Sequence, residues 1–292
     1  MQAMWNKISF INNWHNGDIH VSRSFVKYIV ANTKATYYEY QHTNSPRLLL
    51  DIPELCIVQP YTLAKDSKIP YIIDGKDLFI NTWYAASPTF DQHGMHFEAL
   101  YSLFQLVFDE VFKWDINSLD KRNLLPDIDF AYYAVDAARA YFVESSQDSR
   151  WRKKVFCSNG PYLSYQGLDF SINNVVRTYA QENPDILFLF TEDVDNTLDN
   201  MITTRSIIGL DDNDLNENAY VAQFCDVLLG QSSGPHTFAH TKVNLMDATK
   251  TFVILTTIAS CGQWASFEGR MCEFLWVPSV DKIDSVMKKV LA

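Results

Sequence analysis

Continuous apolar runs of strand length alternate with helical patterns along this 292-residue chain, and this alternation constrains its fold most strongly. Residues 185–190 (DILFLF) are apolar on nearly every position, and residues 7–11 (KISFI) are a further strand candidate. Strands of that kind are typical of a parallel sheet that helices cover on both faces. The alternation occurs on each side of residue 150. The sequence therefore predicts an α/β protein with two Rossmann-like parallel-sheet domains facing a cleft.

A polar segment near the middle of the chain marks the predicted domain boundary. Residues 144–154 (ESSQDSRWRKK) lack hydrophobic periodicity and are the best candidate for a linker. They predict an N-terminal domain over residues 1–150 and a C-terminal domain over residues 151–292.

Two local patterns in the N-terminal half make further predictions. Strand-like runs on both sides of Gly75-Lys76, at residues 70–74 and 77–83, predict a β-hairpin. Apolar residues at helical spacing predict helices over residues 97–114 and 128–143.

Composition and charge exclude several classes of function. The formal net charge is −11, and the longest basic stretch is residues 150–154 (RWRKK). Nucleic-acid binders present a basic surface to phosphates, so nucleic acid is not expected as a partner. The five cysteines form no C-x-x-C pair, which predicts reduced thiols and a cytoplasmic protein. No apolar run reaches the roughly 18–20 residues that cross a bilayer, and no signal peptide is evident.

The loop that follows a strand-like run in residues 225–240 (CDVLLGQSSGPHTFAH) has the composition of an anion site. Pro235 suits the first turn of a helix, where its missing N–H costs nothing. Ser232 or Ser233 would then lie near the N-cap, and Gly234 would allow a close backbone approach. Free N–H groups and hydroxyls at a helix N-terminus bind phosphates. A well-capped helix without a ligand is the alternative.

The matching loop of the N-terminal half is residues 14–20 (WHNGDIH). Gly17 makes the turn, and Asp18 falls in the first helical turn, where the helix dipole stabilises a carboxylate. Asp18 is therefore either a helix cap or a general base, with His15 and His20 as competing bases.

These two loops resemble the corresponding loops of GT-B glycosyltransferases. The similar features are the strand–GD–helix opening and the segment SGPHTFA at residues 233–239. The likeness is greatest to the heptosyltransferase-like enzymes that build bacterial polysaccharides, whose late motif commonly reads SGPMHLA. The resemblance implies a nucleotide-sugar donor on the C-terminal domain and a saccharide acceptor on the N-terminal domain. It also implies transfer without a metal or another cofactor, and we expect inversion at the sugar.

The resemblance also assigns residues. It maps the family's candidate base onto Asp18 and the cradle of the donor pyrophosphate onto Ser233 and Gly234. The family histidine falls on Thr237, whereas this chain carries His236 one position earlier. Both are candidate phosphate contacts, with the hydroxyl of Thr237 able to replace the ring.

Three further residues lie at strand ends of the C-terminal half. Asn159 and Gly160 follow its first strand and are candidate neighbours of the diphosphate. Glu192 follows the run at 185–190 and is a candidate for binding the ribose hydroxyls, with an exposed acidic loop as the alternative.

In the N-terminal half, Trp83 and Tyr84 either stack on an acceptor sugar or pack in the core.

Other chemistries have less support in the sequence. His236 and His240 have the spacing of zinc ligands on a helix, but Thr237 replaces the glutamate of the zinc-protease motif, so no metal site is expected. Neither a G-x-G-x-x-G after the first strand nor a P-loop motif occurs. The alternatives to a transferase are a sugar-nucleotide epimerase or hydrolase on the same frame and a non-catalytic α/β binding or structural protein.

Overall fold

The computed structural model describes residues 5–93, 97–145, 148–160, 171–195, 198–209, 214–231, 234–256 and 272–292. Their contacts group into two units, and the chain passes from the first to the second between Asp127 and Ile128. The division thus falls ahead of the polar segment 144–154. The assignment of an acceptor side to residues 1–150 and a donor side to residues 151–292 stays a prediction.

The first unit is built around a mixed sheet. Its elements are β1 (Trp5–Ile11), α1 (Asn16–Asn32), β2 (Ala35–Gln41), β3 (Leu55–Val58), β4 (Tyr71–Asp74), β5 (Asp77–Asn81), α2 (Phe90–His93) and α3 (Phe97–Val107). Among the described residues the strand order is β3-β2-β1-β5-β4. Strands β1, β2, β3 and β5 are parallel, and β4 pairs antiparallel with β5. The last pair is the predicted hairpin, and Gly75 takes a φ of +60° in its turn.

Helix α1, which carries the predicted base, is anchored by buried charge. The fully buried guanidinium of Arg23 pairs with Asp51, and Lys27 Nζ lies 2.6 Å from the other oxygen of that carboxylate. Phe25 of the same helix stacks on Phe104 of α3 with 4.4 Å between the ring centroids. Moving α1 away from Asp51 would leave a buried charge without its partner, which is strongly destabilising. These contacts therefore hold α1 in one position on its unit.

The second unit is built around a parallel sheet. Its elements are α4 (Asp136–Arg139), β6 (Lys153–Ser158), α5 (Ile172–Glu182), β7 (Ile186–Phe190), β8 (Met201–Thr203), α6 (Thr204–Ile208), α7 (Leu215–Ala222), β9 (Val227–Gln231), α8 (Gly234–Phe238), α9 (Lys242–Leu245), β10 (Thr251–Leu255), β11 (Glu273–Val277) and α10 (Ile283–Leu291). Among the described residues the order is β8-β7-β6-β9-β10-β11, with all neighbours parallel. Counted from β6 as the first strand, this is the 3-2-1-4-5-6 order of the Rossmann fold. The strand order therefore reverses between β6 and β9.

The predicted helix over residues 128–143 is wrong in its first half. The carboxylate of Asp129 accepts the N–H of Ala131 at 3.0 Å and caps a 3-10 turn at Phe130–Tyr132. Such a local bond offers the backbone an alternative to the helix. Regular α-helical structure begins only at α4, and a π-helical turn, Ala140–Glu144, follows it.

The remaining helical turns are short. A second π-helical turn spans Phe108–Phe112, and the other 3-10 turns are Pro46–Leu49, Tyr84–Ala86, Ile116–Ser118, Lys121–Leu124, Asp148–Arg150 and Val280–Lys282.

Candidate functional site

In each unit, polar loops meet where the strand order reverses, which is the place where open α/β sheets bind ligands. In the first unit this point lies between β1 and β5. Asn12, directly after β1, donates through Nδ2 to the hydroxyl of Thr82 at 3.3 Å. Trp14 stacks on Trp83 with 4.7 Å between ring centroids. The loop that leads to Asp18 is therefore joined to the loop after β5.

Asp18 lies half-buried in the first turn of α1. Its Oδ2 accepts the backbone N–H of His15 at 3.2 Å, so it caps the helix. Desolvation raises the pKa of Asp18 to about 6, although this N–H lowers it. A carboxyl group with a pKa near neutrality is suited to proton transfer. The competing candidates differ from it in exposure, because His15 is exposed and His20 is fully buried.

A hydroxyl network lies beside this carboxylate. The Tyr40 hydroxyl lies 2.7 Å from Thr82 Oγ1 and 3.2 Å from Ser22 Oγ. Burial raises the pKa of Tyr40 to about 12, and the nearby charge of Asp18 contributes to the increase. Tyr40 therefore stays protonated and acts as a fixed polar support at the end of β2.

In the second unit, loops after three strands converge beyond β6 and β9. A Cβ atom placed on Gly160 would lie 3.4 Å from Cγ of Glu192 and 3.7 Å from Cγ of Pro235. Gly160 follows β6, Glu192 follows β7, and Pro235 stands in the first turn of α8, which begins at Gly234. The predicted cradle residues Ser232 and Ser233 lie outside the described residues. The structure thus brings together three loops that carry predicted site residues.

The side chain of Asn159 holds two of these loops together. Its Oδ1 accepts the backbone N–H of Glu192 at 2.8 Å and the Thr191 hydroxyl at 3.2 Å. Its Nδ2 donates to Asn173 Oδ1 at 2.9 Å and to the Glu192 carbonyl at 3.2 Å. Both the oxygen and the nitrogen of the side-chain amide are occupied by these bonds, so Asn159 fixes the position of the Glu192 backbone.

The carboxylate of Glu192 belongs to a small ionic cluster. Arg205 Nη2 lies 3.1 Å from Glu192 Oε2, and Arg205 Nε lies 3.6 Å from Asp214 Oδ2. Burial raises the pKa of Glu192, and the positive charge of Arg205 opposes this rise. The side chain of Glu192 is still 38% exposed, which leaves its carboxylate accessible to a ligand.

His236 lies under the end of β9, away from solvent. Its residue is 1% exposed, and Nε2 donates to the Leu228 carbonyl at 3.2 Å. Burial lowers the pKa of His236 to about 4, so the ring is neutral at physiological pH. Its ring lies where a side chain on Gly230 would stand, because a Cβ there would lie 2.6 Å from His236 Cδ2. His236 therefore packs against the strand, whereas the neighbouring Thr237 is only half-buried. Their predicted phosphate contacts stay predictions.

Ser158 is a candidate that the sequence analysis missed. It is 1% exposed at the end of β6, and its hydroxyl has no hydrogen-bond partner among the residues that the structure describes. Its Cβ would lie 2.9 Å from a Cβ on Gly230, so it stands beside the reversal point of the sheet. The available signal was a serine at the last position of an apolar strand, directly before Asn-Gly.

Comparisons with known proteins identify the fold. No protein-family model and no curated protein matches the sequence. Solved structures do match. The glycosyl transferase family 9 protein of Veillonella parvula DSM 2008 is 12% identical over 99% of this chain and 92% of that one, with a TM-score of 0.51. The E. coli heptosyltransferase WaaC with ADP-2-deoxy-2-fluoro heptose is 9% identical over 97% and 99%, with a TM-score of 0.50. The iron-containing dodecameric glycosyltransferase TibC of enterotoxigenic E. coli H10407 is 10% identical over 100% and 78%, with a TM-score of 0.53. The chain has a GT-B-like fold.

The GT-B-like fold confirms the predicted pair of Rossmann-like α/β domains. Within the described ranges, no group of three or more His, Cys, Asp or Glu side chains is arranged to hold a metal ion. Within the same ranges, no helix has the length and apolarity of a membrane span.

Proposed function

We propose that this GT-B-like protein is a glycosyltransferase that moves a sugar from a nucleoside-diphosphate donor to a saccharide acceptor, without a metal and with inversion. The observation that carries the proposal is the convergence of Gly160, Glu192 and Pro235 where the second sheet reverses its order. The structures of WaaC with ADP-2-deoxy-2-fluoro heptose and with ADP support a nucleotide-linked sugar as the class of donor.

The donor diphosphate is assigned to the loops after β6 and β9. The buried Ser158 hydroxyl supplies a donor there, and the backbone N–H of Gly234, at the start of α8, supplies another. We place the hydroxyls of Ser232, Ser233 and Thr237 beside them. Fixed donors aimed at the departing diphosphate stabilise the negative charge that grows on it in the transition state. The exposed carboxylate of Glu192 accepts from the ribose hydroxyls.

The acceptor sugar is assigned to the first unit, with Asp18 as the general base. Asp18 takes the proton of the acceptor hydroxyl while that oxygen forms a bond to the anomeric carbon. The bond from the anomeric carbon to the diphosphate oxygen breaks, and the nucleoside diphosphate leaves with the electron pair. A single displacement of this kind inverts the anomeric centre, and the proton remains on Asp18 until solvent removes it.

Calorimetry with a panel of nucleoside diphosphates tests the donor site directly. We expect at least one member to bind, and absence of binding by all of them would favour a non-catalytic protein. If a nucleotide sugar is consumed or isomerised without any acceptor present, the hydrolase or epimerase alternative replaces the transferase.

Replacing Ser158 with alanine is expected to weaken nucleoside-diphosphate binding about 10- to 100-fold, because a hydrogen bond to a charged group is lost. Calorimetry measures the change. Ser285→Ala is the matched control, since that hydroxyl is exposed and donates to the carbonyl of Lys282, directly before α10. Unchanged affinity in Ser158→Ala would remove this hydroxyl from the diphosphate site.

The transfer rate is expected to fall with acid below about pH 6. Asp18 acts as a base only when ionised, so its pKa of about 6 sets the pH below which the rate falls. The rate against pH, measured at saturating donor, should decline tenfold per pH unit on the acid side. The residual rate of Asp18→Asn should not show this decline at low pH. A decline that persists in this variant would mean that another group titrates.

A further inference from the structure

Three buried polar groups on the loops after β1 and β2 have no hydrogen-bond partner within the described residues. They are Oδ1 of Asn13, the indole N–H of Trp14 and Nε2 of His42. His42 as a whole is 1% exposed. Since buried polar groups are nearly always hydrogen-bonded, each of these three atoms requires a partner that the described residues do not supply.

Neighbouring hydrogen bonds determine whether each of these groups can donate or accept a further hydrogen bond. Asn13 donates through Nδ2 to the Leu63 carbonyl at 3.0 Å, which leaves Oδ1 as an acceptor. His42 Nδ1 accepts the N–H of Asn44 at 3.0 Å, so in the neutral ring the proton lies on Nε2. Burial lowers the pKa of His42 to about 4, which keeps the ring neutral. The indole of Trp14 only donates. The three groups therefore offer two donors and one acceptor, all uncharged.

The three groups lie on loops that are tied to each other and to an aromatic face. Asn44 bonds to both loops, because its Nδ2 also donates to the Trp14 carbonyl at 3.2 Å. Trp14 is stacked on Trp83, and Lys65 Nζ lies 4.5 Å from the centroid of the Trp14 ring. These loops lie at the edge of the first sheet where α1, the helix that contains Asp18, begins.

We propose that Asn13, Trp14 and His42 bind an uncharged sugar, which is the acceptor if the proposed transfer is correct. A sugar hydroxyl both donates and accepts, as this mixed set of groups requires. A carboxylate or phosphate would instead place its charge against the side-chain carbonyl oxygen of Asn13. The apolar face of a sugar ring also packs well on indole rings, where it would compete with Lys65.

The test uses the full chain labelled with 5-fluorotryptophan and followed by fluorine NMR. The Trp14 signal is assigned by its absence in Trp14→Phe. We expect methyl α-glucoside or methyl α-mannoside to shift this signal, whereas methyl glucuronide and glucose 6-phosphate at the same concentrations do not. If no neutral glycoside shifts it, or if the acidic sugars shift it equally, the proposal is wrong.

Calorimetry of the unlabelled variants supplies the second measurement. Trp14→Phe keeps a ring against Trp83 but removes the N–H, so neutral glycosides should bind about 3- to 10-fold more weakly. Trp151→Phe is the matched control, because its indole N–H is also buried without a partner in the described ranges but lies in the second unit. Equal affinities in the two variants would overturn the assignment of Trp14.

The diphosphate titration separates this inference from the proposed function. Binding of neutral glycosides with no binding of any nucleoside diphosphate would leave the sugar site standing and reject the transferase. If a nucleoside diphosphate binds but no neutral glycoside does, the sugar site is rejected and the transferase proposal stands.

Discussion

Replacing Asp18 with asparagine is expected to lower the rate of sugar transfer about 100- to 10,000-fold, the usual contribution of a general base. The amide oxygen of asparagine can still accept the N–H of His15, so the start of α1 should stay capped. Donor affinity should be unchanged, because the donor is assigned to the second unit. Initial rates with a radiolabelled nucleotide sugar and calorimetry with the diphosphate measure the two quantities separately.

Asp74→Asn is a suitable control for this experiment, since Asp74 is exposed at the end of β4. Its transfer rate should match that of the unmodified protein. Full activity in Asp18→Asn would show that another group is the base, and His15, the exposed histidine of the same loop, would be the next candidate.

A second large effect is expected for Gly230→Ala, which should destabilise the second unit by about 1–3 kcal/mol or more. The new Cβ would lie 2.6 Å from Cδ2 of His236 and 2.9 Å from Cβ of Ser158. Neither neighbour can move easily, because the His236 ring is buried and bonded to the Leu228 carbonyl. Chemical denaturation followed by circular dichroism measures the free energy of unfolding.

Gly160→Ala is the matched control, because its Cβ would meet Glu192 at 3.4 Å, an ordinary contact distance. It should remain close to the original stability. If the clash with His236 is the cause, the double variant Gly230→Ala with His236→Ala should be more stable than the sum of the two single effects predicts. A Gly230→Ala protein of unchanged stability would contradict the packing described for His236.

Local chemistry explains which parts of the fold were predictable. The hairpin at Gly75-Lys76 depends on a short pattern that a few residues contain. The helix predicted from residue 128 failed because the capping bond of Asp129 prevailed over hydrophobic spacing. One face of the first sheet was also not foreseen. Ser9 and Glu39 are buried there and hydrogen-bonded at 2.6 Å, so that this face is polar and not uniformly apolar.

The candidate site was only partly predictable for a similar reason. Gly160 and Glu192 were placed at strand ends by pattern alone, and the structure shows that their loops meet. Ser158 and His42 could not be found in this way, because their interest depends on being buried without a partner. Burial of a single atom depends on residues that are distant in the sequence.

The sequence by itself determined that strands alternate with helices in two α/β halves, and that Gly- and Pro-containing loops follow the central strands. Hydrophobic period and turn chemistry encode these features over a few residues each. Only the tertiary structure decided which loops become neighbours, through the strand order that joins β6 to β9 and β1 to β5. It also decided the pKa of Asp18 and the burial of His236, because desolvation depends on packing by residues far away along the chain.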